Sequence, residues 1–256
     1  MNKKNLKNSF CILPFTTVDV RDTVVRGPCC RSKLENSYAG IDEFWESSEL
    51  ESLRSDLLSG VQNSICKVCW ETESLGLKSL RIDSNKRFNR EFLTNPRIIE
   101  LKYNPGRECN LACMMCSADF SSKFASLWKG EMKPPPSEVL DVDNHKTVSA
   151  WIYSNYQQLE SLSVNGGEPL YNKRFLNMMD FLIEKNVSKN IVLYISTNAT
   201  MLPESTIKKL RQFKQVVCIV SIEAVGLPND YIRWYGNFDK IKKNINYLRG
   251  SNIKNI

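Results

Sequence analysis

From Arg97 onward the chain alternates between strand-like and helix-like segments, and this alternation constrains its fold more than any other feature. RIIELKY, LESLSV, IVLYIST and VVCIVSI read as strands, while TVSAWIYSNYQQL, FLNMMDFLIEKN, PESTIKKLRQF and NFDKIKKNINYLRG read as helices. Such alternation predicts βα units around a parallel sheet, an α/β architecture. The run VVCIV is continuously apolar, as a parallel strand covered on both faces is, and Cys218 within it reads as a small buried residue. KGEMKPPPSEVLDVDNH is too polar and proline-rich for regular structure and reads as a surface loop.

Before Arg97 the character changes. Residues 10–80 carry five cysteines and one clear helical pattern, EFWESSELESLRSDLLSG, with Leu50, Leu53, Leu57 and Leu58 on one face and Gly60 at its end. Little else there has a period, so the segment is expected to have a thin core that would profit from a metal staple. The expected division is residues 1–96, including a linker from Arg81 to Pro96, and residues 97–256.

Composition narrows the functional classes. With 256 residues, 42% of them hydrophobic, the chain can bury a substantial core. No run approaches the roughly 18 apolar residues of a membrane span. The basic start MNKKNLKNSFCILPF leads into an apolar stretch that is short and broken by Pro14, so a soluble, cytoplasmic protein is expected. Lys and Arg outnumber the acids for a net charge of +7, but they are scattered, with KRFNR and KIKK the densest runs. That distribution reads as a solvated surface rather than a nucleic-acid footprint.

There are nine cysteines and a single histidine, His145. In a reducing compartment so many thiols point to metal or redox chemistry rather than disulfides, and a thiolate-rich site favours zinc or iron–sulfur clusters. CNLACMMC directly follows the first strand of the alternating region, which places it on a loop at a strand's carboxyl end, where α/β folds build their sites. Cys109, Cys113 and Cys116 can hold three irons of a cubane and leave the fourth without a protein ligand. A structural zinc would be closed by four ligands, usually from two separated Cys-x-x-Cys knuckles.

The Cys-x3-Cys-x2-Cys stretch resembles the signature of the radical S-adenosylmethionine (radical SAM) enzymes. The resemblance extends to NGGEP (Asn165 to Pro169) after the second strand, STN (Ser196 to Asn198) at the end of the third and SIE (Ser221 to Glu223) at the end of the fourth. It implies a partial (β/α) barrel of radical SAM type, here truncated after about four βα units, with a small cysteine-rich N-terminal subdomain. It also implies a 4Fe-4S cluster on Cys109, Cys113 and Cys116 whose open iron is chelated by S-adenosyl-L-methionine. Reductive cleavage of that cofactor then yields a 5′-deoxyadenosyl radical that abstracts hydrogen from a substrate.

Carried over residue by residue, the resemblance gives Gly166 and Gly167 close backbone approach to the methionine moiety, with Glu168 accepting from its ammonium. Ser196, Asn198, Ser221 and Glu223 stand where the family contacts the ribose and the cofactor's carboxylate, though each also reads as a cap or turn residue. Arg233, in DYIRW, is a partner for that carboxylate or a surface ion pair. Met115 occupies a position often aromatic in the family and would pack beside the adenine. No catalytic side chain is assigned.

The N-terminal cysteines resemble the auxiliary-cluster segments called twitch or SPASM domains, which usually follow the barrel and here precede it. The expected ligands are Cys11, Cys30, Cys66 and Cys69, with Cys29 as the rival of Cys30 and zinc as the rival of iron–sulfur. The resemblance implies an electron donor such as a flavodoxin or ferredoxin and a peptide, protein or other small substrate. With only four strands to be counted, either a second copy or another chain is expected to complete the barrel, or the sequence is a fragment of a longer protein. The alternatives are a truncated or accessory relative that depends on a partner for turnover, and a zinc-binding interaction module.

Overall fold

A computed structural model describes residues 9–21, 24–34, 36, 38–88, 95–127, 144–250 and 253. Most of the expected proline-rich loop, the side chain of His145, the stretch 89–94 of the expected linker and NIKNI apart from Ile253 lie outside the described residues. The chain divides into two compact units, Met1–Lys102 and Tyr103–Ile256. The division falls inside a strand rather than at Pro96.

The first unit has more regular structure and a fuller core than its sequence suggests. Antiparallel strands β1 (Thr17–Arg21) and β2 (Val24–Gly27) precede helices α1 (Ile41–Trp45), α2 (Ser48–Ser59), α3 (Lys67–Ser74) and α4 (Leu80–Arg87). Ile12, Leu13, Phe15, Val18, Phe44, Leu50, Leu53 and Leu57 are all buried. The single helix expected over residues 43–60 is instead two. Ser47 has extended backbone, its hydroxyl accepts from Leu50 N at 3.3 Å, and this N-cap begins α2 afresh. Leu58 sits at the edge of the buried stripe, and Gly60 closes α2 with a φ of 88°. Part of the expected linker is helical: Arg81, in α4, is buried and ion-paired with Glu73.

The boundary strand is β3 (Glu100–Tyr103), followed by the two-residue strand β4 (Ala112–Cys113) and helices α5 (Ser122–Leu127) and α6 (Asn144–Asn155). Next come β5 (Ser161–Val164), α7 (Lys173–Glu184), β6 (Val192–Thr197), α8 (Glu204–Leu210) and β7 (Gln215–Val220). The chain continues through α9 (Leu227–Ile232), β8 (Arg233–Trp234) and α10 (Phe238–Gly250). The strands β5, β6 and β7 pair in parallel with α7 and α8 as the intervening crossovers, which is the α/β organisation expected from the alternation.

Phe175, Met178, Met179 and Leu182 of α7 are fully buried, as are Leu162, Leu193, Ile195, Ile207 and Leu210. Burial of these side chains is the main term favouring this unit, at about 25 cal/mol per Å² of apolar surface removed from water. One expectation is corrected. β6 and β7 are not buried on both faces: their residues alternate, and Ile219 is 57% exposed. Cys218 is buried as expected. The less buried face carries Ser163, Tyr194, Ser196, Val217 and Ile219, brought side by side by the strand register.

Candidate functional site

The loop leaving β3 is held by its own polar side chains. Asn104 Oδ1 accepts from Gly106 N at 2.9 Å, closing a tight turn before the cysteine segment. At the start of α5, Ser121 Oγ donates to Leu111 O at 2.6 Å, and Ser122 Oγ accepts from Cys109 N at 3.1 Å. Cys116 N donates to Cys113 O at 2.9 Å, so the last two cysteines share one turn. β4 pairs antiparallel with β8, which sets Cys113 directly opposite Arg233.

Gly166 and Gly167 have φ values of 85° and 50°, and an added Cβ would lie 2.0 Å from the Asn104 side chain in the first case and 2.4 Å from Glu108 O in the second. These glycines therefore make room for the cysteine loop itself, whatever else approaches them. Gly167→Ala is expected to cost about 1–3 kcal/mol, while Gly250→Ala, where nothing lies within 4 Å, is expected to be nearly neutral. Thermal denaturation of the two variants checks this; equal melting temperatures would refute it.

Glu168 is buried at 1% exposure. Its carboxylate accepts from Thr197 Oγ1 at 2.7 Å, Asn198 N at 2.6 Å and Leu170 N at 3.1 Å, and its own N donates to Glu108 O at 2.8 Å. Burial pushes the carboxyl upward, against the pull of the Asn198, Thr197 and Leu170 hydrogen bonds and of Arg233. Glu168 thus ties the second strand's loop to the end of β6 and to the cysteine loop. Its acceptor capacity is largely engaged within the chain.

Asn198 has a similar role. Its Nδ2 donates to Asn110 Oδ1 at 2.9 Å, Asn110 Nδ2 donates to Thr200 Oγ1 at 2.7 Å, and Thr200 Oγ1 donates to Asn198 Oδ1 at 2.7 Å. This closed ring of three side chains fastens the interior of the cysteine motif to the turn after β6. Ser196 and Ser221 are half-buried at the ends of β6 and β7, and Ser221 N donates to Thr197 O at 2.9 Å. Glu223 pairs with Arg233 Nη2 at 2.6 Å, while Arg233 Nη1 lies 3.7 Å from Cys113 Sγ. Met115 is 57% exposed.

The structure therefore brings together Cys109, Cys113, Cys116, Gly166, Gly167, Glu168, Asn198, Glu223 and Arg233 through the loops at the strands' carboxyl ends. Asn104, Ser121, Ser122 and Thr200 belong to the same network and lie outside the motifs, while Asn110 and Thr197 lie within two of them but carry no assigned role. The one signal for Asn110 was a polar amide set between Cys109 and an apolar Leu111.

All three loop thiols are free. Burial pushes Cys109 up to about 11 and also raises Cys113 and Cys116, which the Arg233 guanidinium pulls back down. Among the described residues no three His, Cys, Asp or Glu side chains converge on a point that would suit a single metal ion. A cubane makes a different demand, one thiolate on each of several irons, and three free thiols on one loop match that donor chemistry.

In the first unit the cysteines fall into two groups. Cys11, Cys29 and Cys69 are buried, Cys66 is half-buried and Cys30 is exposed. Burial raises Cys11, and repulsion from Cys29, Cys66 and Cys69 adds to it; burial likewise pushes Cys66 up to about 12, with Cys29 and Cys69 adding. Repulsion thus links Cys11 to Cys29, Cys66 and Cys69, and Cys66 to Cys29 and Cys69, while the exposed Cys30 adds to the rise of Cys29. Arg81 Nη1 and Asn85 Nδ2 both donate to Phe10 O at 2.8 Å, so α4 pins the segment bearing Cys11.

No helix among the described residues is long and apolar enough to cross a membrane. No curated protein matches the chain significantly. Among solved structures, SuiB of Streptococcus suis bound to the precursor peptide SuiA is 19% identical over 77% of this chain and 47% of that one, with a TM-score of 0.41. Native anSMEcpe with bound AdoMet is 21% identical over 60% of this chain and 41% of that one, with a TM-score of 0.41. The chain spans less than half the length of either protein. The family model of the Radical SAM superfamily matches residues 103–256, a stretch that holds the cysteine loop, the parallel strands and the hydrogen-bonded network at their ends. The chain belongs to the radical SAM superfamily of enzymes.

Proposed function

We propose that Cys109, Cys113 and Cys116 hold a 4Fe-4S cluster that binds S-adenosyl-L-methionine at its open iron. The observation that carries this reading is the anchored three-thiol loop at the carboxyl ends of the strands. When bound, the pair supplies one-electron cleavage to methionine and a 5′-deoxyadenosyl radical that takes hydrogen from a substrate. The chain's part is to position. The Asn110, Asn198 and Thr200 ring and the clasp of Ser121 and Ser122 fix the loop, and Glu168 fixes the backbone of Gly166 and Gly167 beside it. Ser196 and Ser221, half-buried at neighbouring strand ends, are suited to contact the cofactor's ribose or carboxylate. The less buried sheet face, with Tyr194 and Ile219, is the surface on which a substrate would lie.

In the first unit we assign a second, auxiliary iron–sulfur site to Cys11, Cys29, Cys66 and Cys69, a twitch- or SPASM-like arrangement with Cys29 in place of Cys30. The burial of Cys11, Cys29 and Cys69, and the repulsion that Cys11 and Cys66 receive from the other thiols, support it. The auxiliary site favours a peptide or protein substrate, with a flavodoxin or ferredoxin as the electron source.

The test is anaerobic. Protein reconstituted with iron and sulfide, then given S-adenosyl-L-methionine and dithionite, is expected to form 5′-deoxyadenosine, and Cys113→Ala is expected to reduce this to background. A bound cluster with no product would favour the accessory, partner-dependent relative, and stoichiometric zinc without iron the interaction module.

A further inference from the structure

The ion pair between Glu223 and Arg233 lies at the edge of the cysteine loop, and its geometry is directed at sulfur. β8 sets Arg233 opposite Cys113 in the ladder, and Met114 N donates to Ile232 O at 2.8 Å on the same pairing. The backbone therefore fixes where the guanidinium starts. Its Nη2 is held by Glu223 Oε1 at 2.6 Å, and its Nη1 lies 3.7 Å from Cys113 Sγ, within range of an N–H to sulfur hydrogen bond. The Arg233 side chain is only 12% exposed.

We infer that Arg233 is a positioning residue for the cluster, donating a charged hydrogen bond to the Cys113 thiolate and so raising the cluster's reduction potential, with Glu223 as the strut that aims it. The inference rests on the three-cysteine cluster proposed above. The physical reason is charge. Adding an electron makes a thiolate-bound cluster more negative, and a cation or hydrogen bond at a ligating sulfur stabilises the reduced form more than the oxidised one. The ion pair does not make this neutral, because the guanidinium is the member that faces the sulfur. Nε is buried and has no partner among the described residues, so the fork keeps one further donor for a nearby acceptor.

This differs from the role implied by sequence resemblance, in which Arg233 holds the carboxylate of S-adenosyl-L-methionine. The two are separated by measuring the cluster without that cofactor. Reconstituted wild type and Arg233→Gln are titrated anaerobically and the reduced cluster is followed by electron paramagnetic resonance.

Arg233→Gln is expected to shift the midpoint potential to a more negative value, beyond the scatter of replicate titrations, with Arg233→Lys shifted in the same direction but less. An unchanged midpoint in a fully loaded Arg233→Gln overturns the inference, and weaker binding of S-adenosyl-L-methionine in that variant would then give the residue to the cofactor. If Arg233→Gln does not retain iron, Arg233→Lys is the variant read, and an unchanged midpoint there overturns the inference equally. Wild type that binds no iron–sulfur cluster would instead sink the reading on which the inference rests.

Discussion

Glu168→Ala is expected to destabilise the second unit by about 3 kcal/mol, because it strands two buried backbone N–H groups and the Thr197 hydroxyl that now donate to one carboxylate. Thermal unfolding should show it directly. Glu168→Gln is expected to cost less, since an amide keeps one oxygen to accept from Asn198 N and carries no charge to bury. The loss should extend to iron retention. Asn198 loses the contact that fixes its backbone, the ring with Asn110 and Thr200 loosens, and the cysteine loop is held by fewer bonds. An Ala variant that melts with wild type and keeps its iron would show that the carboxylate has no such bracing role.

The second large effect concerns the first unit. Cys29→Ala is expected to lower anaerobically reconstituted iron to what the three-cysteine loop holds alone, and Cys30→Ala to leave it unchanged. Iron and sulfide analysis of the two variants decides the matter, because the residues are adjacent and chemically identical. The reverse result would restore Cys30 as the ligand, and iron unchanged in both would remove the auxiliary site. The reason to expect Cys29 is its burial within reach of Cys11 and Cys66, against the exposure of Cys30.

Adjacent cysteines show where sequence reading stops. CC in GPCCRS gives no sign of which thiol turns inward, because the answer depends on the backbone direction after β2. The parallel strands and their helices were legible because apolar runs of the right length alternate with amphipathic ones, and the four motifs mark the strand ends where the site is built. The hairpin and short helices of the first unit were not, since β1 and β2 are too short to show a period. In VVCIV, composition gave the strand but not its surroundings: Ile219 is apolar and exposed all the same.

The network that anchors the cysteine loop was hidden for another reason. Asn110, Thr197 and Thr200 are common residues whose roles arise from contacts across 29 to 90 positions of sequence. Glu168 and Asn198 were found through motifs, yet the partners the structure gives them lie inside the chain.

The pairing of β4 with β8 joins residues 120 positions apart, Cys113 and Arg233. Closing a contact of such long sequence separation costs more chain entropy than forming the local βα units between its ends, and is expected to follow them. The cysteine loop is therefore expected to acquire its final register when most of the second unit is already in place. A metal or cluster delivered before that pairing would meet thiols not yet held in their native spacing.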